Sequence, residues 1–326
     1  MKHAAPRPAR ASARPSAQRG AALLAALLTV ALVATFAAGA LWQQWRAVEV
    51  EGAERQRTQA RWLLTGALDW ARVILREDAR AGNTITPTDH LAEPWAVPLQ
   101  EARLSTFLAA LPDGTRNASD EEDPLAQQVL LSGYITDVQG RLNVTNLLQG
   151  DQLDRASVIA FERLFSTLDL PRTELGLLLQ GLQAAQRQGS NAPLMPQRVS
   201  QLSWLGLSQP TLQRLSPYIT LLPVRAPVNL NTASMPVLLA SVPGLSPSEA
   251  LRLTQLRERQ HWTSVEAFKK TLGTSVNLEG THSVSSRYFE VVGRLRMPQT
   301  LLQERSMLQR DGIDLKVLWR ESGSLQ

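Results

Sequence analysis

The chain has 326 residues, of which 44% are apolar and 19% charged, so it can form one or two globular domains. It contains no cysteine, which excludes a disulfide scaffold and a thiolate metal site. The net charge of +5 equals the five basic residues of positions 1–20, which contain no acid. Residues 21–326 are therefore neutral overall, and a general nucleic-acid-binding surface is not indicated.

The N-terminal segment places a basic, proline-broken leader directly before an apolar run. Residues Ala21 to Trp42 carry no charge. As a helix they span ~33 Å, close to the ~30 Å hydrocarbon core of a bilayer. Trp42 and Trp45 stand at the far end, where indoles favour the membrane interface. The basic leader predicts that everything after Trp42 lies outside the cytoplasm.

This segment has three interpretations. It is an uncleaved signal anchor, a cleaved signal peptide, or a leader removed after Gly20 with the apolar helix retained. A cleaved signal fits less well, because the run is longer than the usual ~7–15 apolar residues. The junction of Arg19 and Gly20 against the apolar run suggests the third interpretation, and the residues alone leave it open.

A long helix is predicted to continue beyond the membrane. Residues 43–78 contain no proline, and apolar residues recur at helical spacing from Trp62 to Leu75. The pattern predicts one helix of about 55 residues, half in lipid and half packed on a folded domain. Residues 83–126 contain five prolines and are predicted to be loop-rich, with a solvated acidic loop at 113–123.

Sequence patterns typical of β-strands occur before and after a block of helical patterns. Residues 127–144, "QQVLLSGYITDVQGRLNV", predict a hairpin that turns at Asp137–Gly140. Helical patterns separated by proline and glycine fill residues 147–222, and alternation returns at 287–297 and 314–320. The chain is therefore predicted to be α+β, with one antiparallel sheet interrupted by a helical insertion.

Residues 228–270 predict a helix-hairpin-helix-like unit. Ser234 or Thr232 caps the first helix, and Ser246 with Glu249 forms a capping box on the second. The turn between the helices consists of Pro243, Gly244 and Leu245. DNA-binding versions have a second turn glycine, where this chain has Ser246. Basic and acidic residues are also mixed here, which favours a packing role over DNA binding.

No pattern in the chain indicates catalysis. The four histidines do not pair at metal-ligand spacing, and neither a nucleophile elbow nor a phosphate-binding glycine loop is present. We therefore predict that the protein is not an enzyme and has no catalytic residue, metal site or cofactor.

Several segments together resemble one family. They are the leader ending in Arg19–Gly20, "LDWARVILREDAR", "DVQGRLNVTNLL", "NAPL", "PVNLNTASMPVLLASVPGL" and "SSRYFEVVG". In this order they look like the type II secretion system minor pseudopilin K family, also called general secretion pathway protein K. The resemblance covers essentially the whole chain. Its most specific parts are the "DVQGRLN" and "NLNTA" segments.

The resemblance implies a function in assembly. Prepilin peptidase would cut after Gly20, and the new N-terminus at Ala21 would be methylated. The protein would cross the inner membrane once, with its C-terminal domain in the periplasm. It would sit at the pseudopilus tip with minor pseudopilins I and J, and with H below, and would start assembly of the fibre that exports folded proteins across the outer membrane.

The resemblance also implies a domain organisation. Residues 1–20 are the leader, 21–42 the transmembrane segment and 43–147 the first part of a pilin-like domain. Residues 148–275 form the helical insertion, and 276–326 complete the pilin-like sheet.

Two further expectations concern single features. Most pilin-like subunits carry a glutamate five residues into the mature helix, where this chain has Ala25. A carboxylate in hydrocarbon needs a partner, and a tip subunit has no subunit above it to provide one. The family is known to bind calcium through an acidic stretch, but residues 175–194 contain no acid, so calcium is not expected here.

The alternative is a membrane-anchored DNA receptor of the competence type, which also uses a helix-hairpin-helix motif. It predicts an uncleaved anchor and a DNA affinity that falls with salt. The neutral charge after Gly20 and the missing second turn glycine favour the pseudopilin.

Overall fold

The structure is a computed structural model that describes residues 18–81, 87–109, 128–187, 192–273, 275–297 and 300–325. Most of the basic leader and the acidic loop at 113–123 lie outside the described residues. The described residues form two compact units, one that ends at residue 61 and one that begins at residue 62.

The long N-terminal helix, α1, extends from Gln18 to Ala81 and has 64 residues, somewhat longer than the predicted helix. In the first unit its residues 20–59 are exposed. In the second unit it buries a stripe at spacings of four, three and four residues, formed by Leu64, Leu68, Ala71 and Leu75. Leu68, Ala71 and Leu75 of this stripe pack in one core with Phe289, Val291, Leu308 and Leu315.

The second unit contains a five-stranded antiparallel sheet of order β1-β2-β9-β10-β11. Its strands are β1 Leu99–Arg103, β2 Leu130–Asp137, β9 Tyr288–Met297, β10 Thr300–Asp311 and β11 Asp314–Leu325. Two strands precede the helical block and three follow it, which confirms the α+β class and the interrupted sheet.

The expectation that residues 83–126 are loop-rich was wrong for part of the segment. They include β1 and the short helix α2, Leu104–Ala109. β1 is an edge strand with mostly exposed side chains. Its sequence, "LQEAR", therefore lacks the apolar alternation by which a half-buried strand is recognised.

The predicted hairpin at 127–144 was also wrong. β2 pairs with β1 and β9, and the chain then makes a 3-10 turn at Val138–Gly140. The next strand, β3 at Leu142–Asn143, pairs in parallel with β6 at Ile219–Thr220. A Cβ at Gly140 would lie 2.8 Å from the Thr232 side chain, so this glycine allows close packing rather than a hairpin turn.

The helical block packs around its own core. Its helices are α3 Arg155–Thr167, α4 Arg172–Arg187, α5 Gln209–Leu215, α6 Met235–Ser241, α7 Pro247–Arg259 and α8 Val265–Leu272, with a 3-10 helix at Val199–Leu205. Its other short strands are β4 Leu148–Gln149, β5 Gln152–Leu153, β7 Val228–Asn229 and β8 His282–Ser283. β7 and β8 pair in parallel and bring the two ends of residues 228–283 together. Trp262 and Phe268 meet edge to face in this core, with ring centroids 4.9 Å apart.

Candidate functional site

The N-terminal segment predicted for processing is helical and exposed. Gly20, Ala21 and Ala25 all lie in α1. Among the described residues, α1 is the one helix with a stretch long and apolar enough to cross a membrane. The exposed apolar side chains of this stretch are Leu23, Leu24, Leu27, Leu28, Val30, Leu32, Val33, Phe36 and Leu41. Such an exposed surface is stable in lipid and unfavourable in water, so the helix fits a single-pass membrane anchor.

The most specific sequence motifs meet in one buried hydrogen-bond network. We call Asp137, Gln139, Asn229, Thr232 and Ser286 the motif junction. Oδ2 of Asp137 accepts hydrogen bonds from Asn229 Nδ2 at 2.9 Å, Ser286 Oγ at 2.6 Å and Thr232 Oγ1 at 2.5 Å. Its Oδ1 accepts from the Gln139 backbone N–H at 2.8 Å. One carboxylate thus joins the "DVQGRLN", "NLNTA" and "SSRYF" segments.

Gln139 and Asn229 extend the motif junction. Oε1 of Gln139 accepts from the Arg287 backbone N–H at 2.6 Å, and its Nε2 donates to the Pro227 carbonyl at 3.2 Å. Asn229 also donates to the backbone carbonyl of Asp89 at 3.0 Å. These bonds tie the helical block to the sheet and to the segment after α1.

A buried ion-pair cluster adjoins the junction. Arg310 on β10 donates to Asp89 and, at 2.9 Å, to Oδ2 of Asp78 on α1. Asp89 also accepts from the Ser286 backbone N–H at 2.7 Å. Burial raises the pKa of Asp78, Asp89 and Asp137, while Arg310 opposes this rise for Asp78 and Asp89.

Glu93 and two histidines lie beside these acids. The rings of His90 and His261 are stacked with centroids 3.7 Å apart, although 171 positions separate them in the sequence. Glu93 accepts from Trp95 Nε1 at 2.6 Å, and burial raises the pKa of Glu93 to about 7. Carboxylate oxygens of Asp78, Asp89 and Glu93 lie within 4.8 Å of one another. Arg310 forms ion pairs with two of these three acids, Asp78 and Asp89.

Sequence reasoning missed this cluster. Spacing along the chain could not show that His90 and His261 meet. The one available signal was the number of acids at the end of α1 and just after it.

The helix-hairpin-helix-like unit forms as predicted. Ser246 and Glu249 make the capping box of α7, and Gly244 in the turn has φ +76°, a conformation that glycine adopts without strain. Ser234 is the N-cap of α6.

Three of the basic residues of this unit make internal contacts. Arg257 donates to the backbone carbonyls of Leu230 and Ala233, and Arg252 donates to the Thr271 carbonyl at 3.2 Å. Lys269 pairs with Glu266 at 3.1 Å. These contacts reduce the positive charge available to a phosphate, so the DNA-receptor alternative is not favoured.

The fold and the site define a class of protein. It is an α+β protein with an N-terminal apolar helix, and its most specific sequence motifs form internal packing contacts. Comparison with known proteins agrees. Two family models, both described as type II secretion system protein K, match residues 140–224 and 228–285. The chain is 30% identical to type II secretion system protein K of Pseudomonas aeruginosa, over 94% of this chain and 93% of the relative.

Other relatives and a solved structure extend this likeness. The proteins K of Pectobacterium carotovorum subsp. carotovorum and Klebsiella pneumoniae are each 29% identical, over 94% of this chain and 97% of the relative. The fold is similar to a chain of the crystal structure of the GspK-GspI-GspJ complex from enterotoxigenic Escherichia coli. That match has a TM-score of 0.61 and 21% identity, and covers 83% of this chain and 98% of the other.

The chain belongs to the type II secretion system protein K family and is a minor pseudopilin of that system. The resemblance seen in the motifs is thereby confirmed.

Proposed function

We propose that this protein is the tip subunit of the pseudopilus and that it initiates assembly of the fibre. The observation that carries the proposal is the apolar helix, which follows a basic leader and has Ala25 where a carboxylate would need a partner subunit. A subunit with nothing above it avoids the cost of an unpaired charge in lipid.

The same proposal covers processing and location. Prepilin peptidase cuts between Gly20 and Ala21, and Ala21 is then N-methylated. The helix remains as a single span of the inner membrane, and the positive leader keeps the N-terminal side in the cytoplasm. The second unit therefore lies in the periplasm.

The partners proposed are minor pseudopilins I, J and H. The likeness to a chain of a GspK-GspI-GspJ complex supports I and J. H follows from the family resemblance alone. The role is structural and not catalytic, since the motif junction uses its polar groups in internal hydrogen bonds.

Mass spectrometry of the N-terminal peptide from native membranes tests the proposal. We expect a peptide that begins at N-methylated Ala21. An intact leader, or cleavage near Ala40, would contradict it. A Gly20→Val variant should keep its leader, because a β-branched residue replaces the glycine at the proposed cut. A variant such as Ala38→Val, within the apolar helix, should be processed normally.

A further inference from the structure

A groove lies between strand β11 and the helical block, on the face of the sheet opposite α1. It contains a cavity of about 640 Å³ and an adjoining cavity of about 430 Å³. The walls of both cavities include Gln197, Arg198, Leu221, Met307 and Trp319. We call the two cavities the edge groove, because β11 is an edge strand of the sheet. The proposed function does not use this groove.

A β-bulge in β11 aims two large apolar side chains into the edge groove. Met307 on β10 pairs with Trp319. The next residue, Leu308, pairs with Val317, so Leu318 is an extra residue without a partner on β10. Successive strand residues normally point to opposite faces. Here Leu318 and Trp319 both pack against the cluster of Met307, whereas Leu308 and Val317 pack on the α1 side. The bulge therefore places a Trp and a Leu together on one half-buried wall.

The guanidinium of Arg198 is stacked on Trp319. Its Cζ lies 4.2 Å from the centroid of the Trp319 ring. Among the described residues, this guanidinium donates one hydrogen bond, from Nη1 to the Gln197 carbonyl at 3.0 Å, and forms no ion pair. A guanidinium stacked on an aromatic face keeps its other N–H groups free in its own plane, where their fork fits a carboxylate. Arg198 thus offers an acid-binding edge beside an apolar wall.

The charges around Arg198 favour an acidic occupant. The described wall of the larger cavity contains no Asp or Glu, and its second cation, Arg225, is paired with Asp154 at 3.4 Å. The described wall of the smaller cavity contains three guanidiniums and two carboxylates. One of these carboxylates, Glu290, is paired with Arg305 at 2.5 Å. Of the cations in these walls, Arg198 is the one without an ion pair among the described residues.

The backbone of β11 is open beside the edge groove. β11 pairs with β10 on one side, and its other side is the edge of the sheet. Arg72 and Arg76 of α1 donate to the carbonyls of Leu315 and Ile313, which covers the start of the strand. Residues 320–323 are exposed. The free N–H and C=O groups of an edge strand bind an extended chain through main-chain hydrogen bonds, so the second half of β11 can accept a partner strand.

We propose that the edge groove binds an extended, acidic segment of a partner protein, which adds a strand to the second half of β11. An Asp or Glu of this segment lies on Arg198. An apolar residue two positions away is on the same face of the added strand and packs on Met195, Leu318 and Trp319. Aromatic residues, Met and Arg are enriched at the centres of protein interfaces, which favours a protein segment over a small acid. Such binding does not require the tip position.

Calorimetric titration of the full chain in lipid nanodiscs tests the chemistry of the segment. The probe is the peptide acetyl-Thr-Leu-Thr-Asp-Thr-Val-amide, whose Leu, Asp and Val share one face of a strand. We expect a Kd of about 1 mM or below. The peptide with Asn in place of Asp should bind about tenfold more weakly, because it loses a charge-assisted hydrogen bond. Of two peptides N-methylated on alternate amides, the one methylated towards β11 should lose binding and the other should retain it.

Variants of the chain test the groove itself. Arg198→Gln should raise the Kd of the probe about tenfold. Arg172→Gln is the matched control, because Arg172 is an exposed arginine of the helical block that does not line either cavity. Met195 is 38% exposed, so Met195→Gln should raise the Kd about threefold without lowering the thermal unfolding midpoint. Binding lost in this variant cannot be attributed to unfolding.

Several results would overturn the proposal. The first two are no binding up to about 10 mM probe, and equal Kd values for Arg198→Gln and Arg172→Gln. Equal binding of the two N-methylated peptides would show that no strand is added to β11. Binding of N-acetyl-aspartate amide as tight as that of the probe would identify a small acid as the ligand. A dimer of the full chain that is lost in Arg198→Gln would show that a second copy occupies the groove instead.

Discussion

The two halves of α1 belong to one continuous helix but bury different shares of their apolar side chains. Residues 21–42 are apolar on every side and exposed, whereas residues 62–81 are apolar on one stripe, which is buried against the sheet. A helix that is apolar all round needs lipid or other apolar surfaces, and a one-sided helix needs a core. The pattern of apolar residues, not their number, thus separates the membrane half from the core half.

The two halves also differ in their charges. The core half carries Asp78, which pairs with Arg310 inside the protein, and the membrane half carries no charge from Ala21 to Trp42. Four predictions test this comparison.

The largest effect is expected when Asp78, the buried acid of the core half, loses its partner Arg310. Arg310→Met leaves the carboxyls of Asp78 and Asp89 buried without their cation, and should lower the free energy of unfolding by about 4 kcal/mol. Denaturant unfolding of the full chain in detergent, followed by tryptophan fluorescence, measures this. Arg287→Met is the control, since its pair with Asp311 is exposed and should contribute less than about 1 kcal/mol. Equal losses in both variants would show that the Arg310 cluster is not a stabilising feature.

The second largest effect is expected from removing apolar side chains, and it should differ between the two halves of α1. Leu75 is fully buried and Leu28 is 69% exposed. Leu75→Ala should therefore cost about 3 kcal/mol of unfolding free energy, and Leu28→Ala less than about 0.5 kcal/mol in the same assay. If Leu28→Ala destabilised the second unit as much as Leu75→Ala, the distinction between the halves would be wrong.

A charge in the membrane half should impair function rather than folding. Ala25→Glu places a carboxylate in hydrocarbon at a cost of about 2.5–3.5 kcal/mol if no partner is present. We expect normal unfolding of the second unit and at least about tenfold less secretion of a folded substrate. Ala25→Gln, with no charge, should secrete close to normally. Full secretion by Ala25→Glu would contradict the proposed tip position.

The smallest effect is expected in the pH dependence of stability, through Glu93, whose carboxylate lies close to that of Asp78 on the core half of α1. The pKa of Glu93 is raised from 4.5 to about 7, so the folded state keeps a proton that the unfolded state loses in this interval. Stability from Glu93 is therefore present below about pH 4.5 and is lost as the pH rises to about 7.

Glu93→Gln removes this titration. The stability of the variant relative to wild type should rise by about 1–2 kcal/mol between pH 5 and pH 8. The difference between the two proteins is the proper measurement, because His282, with its lowered pKa, changes stability in the opposite direction in both. A difference that does not vary with pH would show that Glu93 does not titrate in this interval.

Local sequence patterns were sufficient for several elements. The apolar run from Ala21, the buried stripe of α1 and the capping box at Ser246 each follow from spacings of a few residues. Such signals depend on contacts within one helix or on transfer of a side chain out of water, and both are encoded locally. The α+β order and the family resemblance could be predicted for the same reason.

Tertiary structure decided what these local signals could not. "DVQGRLN" resembles a hairpin turn, but Asp137 makes three long-range hydrogen bonds that direct the chain into the helical block. The edge strand β1 has no apolar alternation because the side chains on both of its faces are mostly exposed. The contact of His90 with His261 and the ion pairs of Arg310 with Asp78 and Asp89 depend on residues far apart in the chain. Their positions follow from how the helical block closes on the sheet, which no local spacing determines.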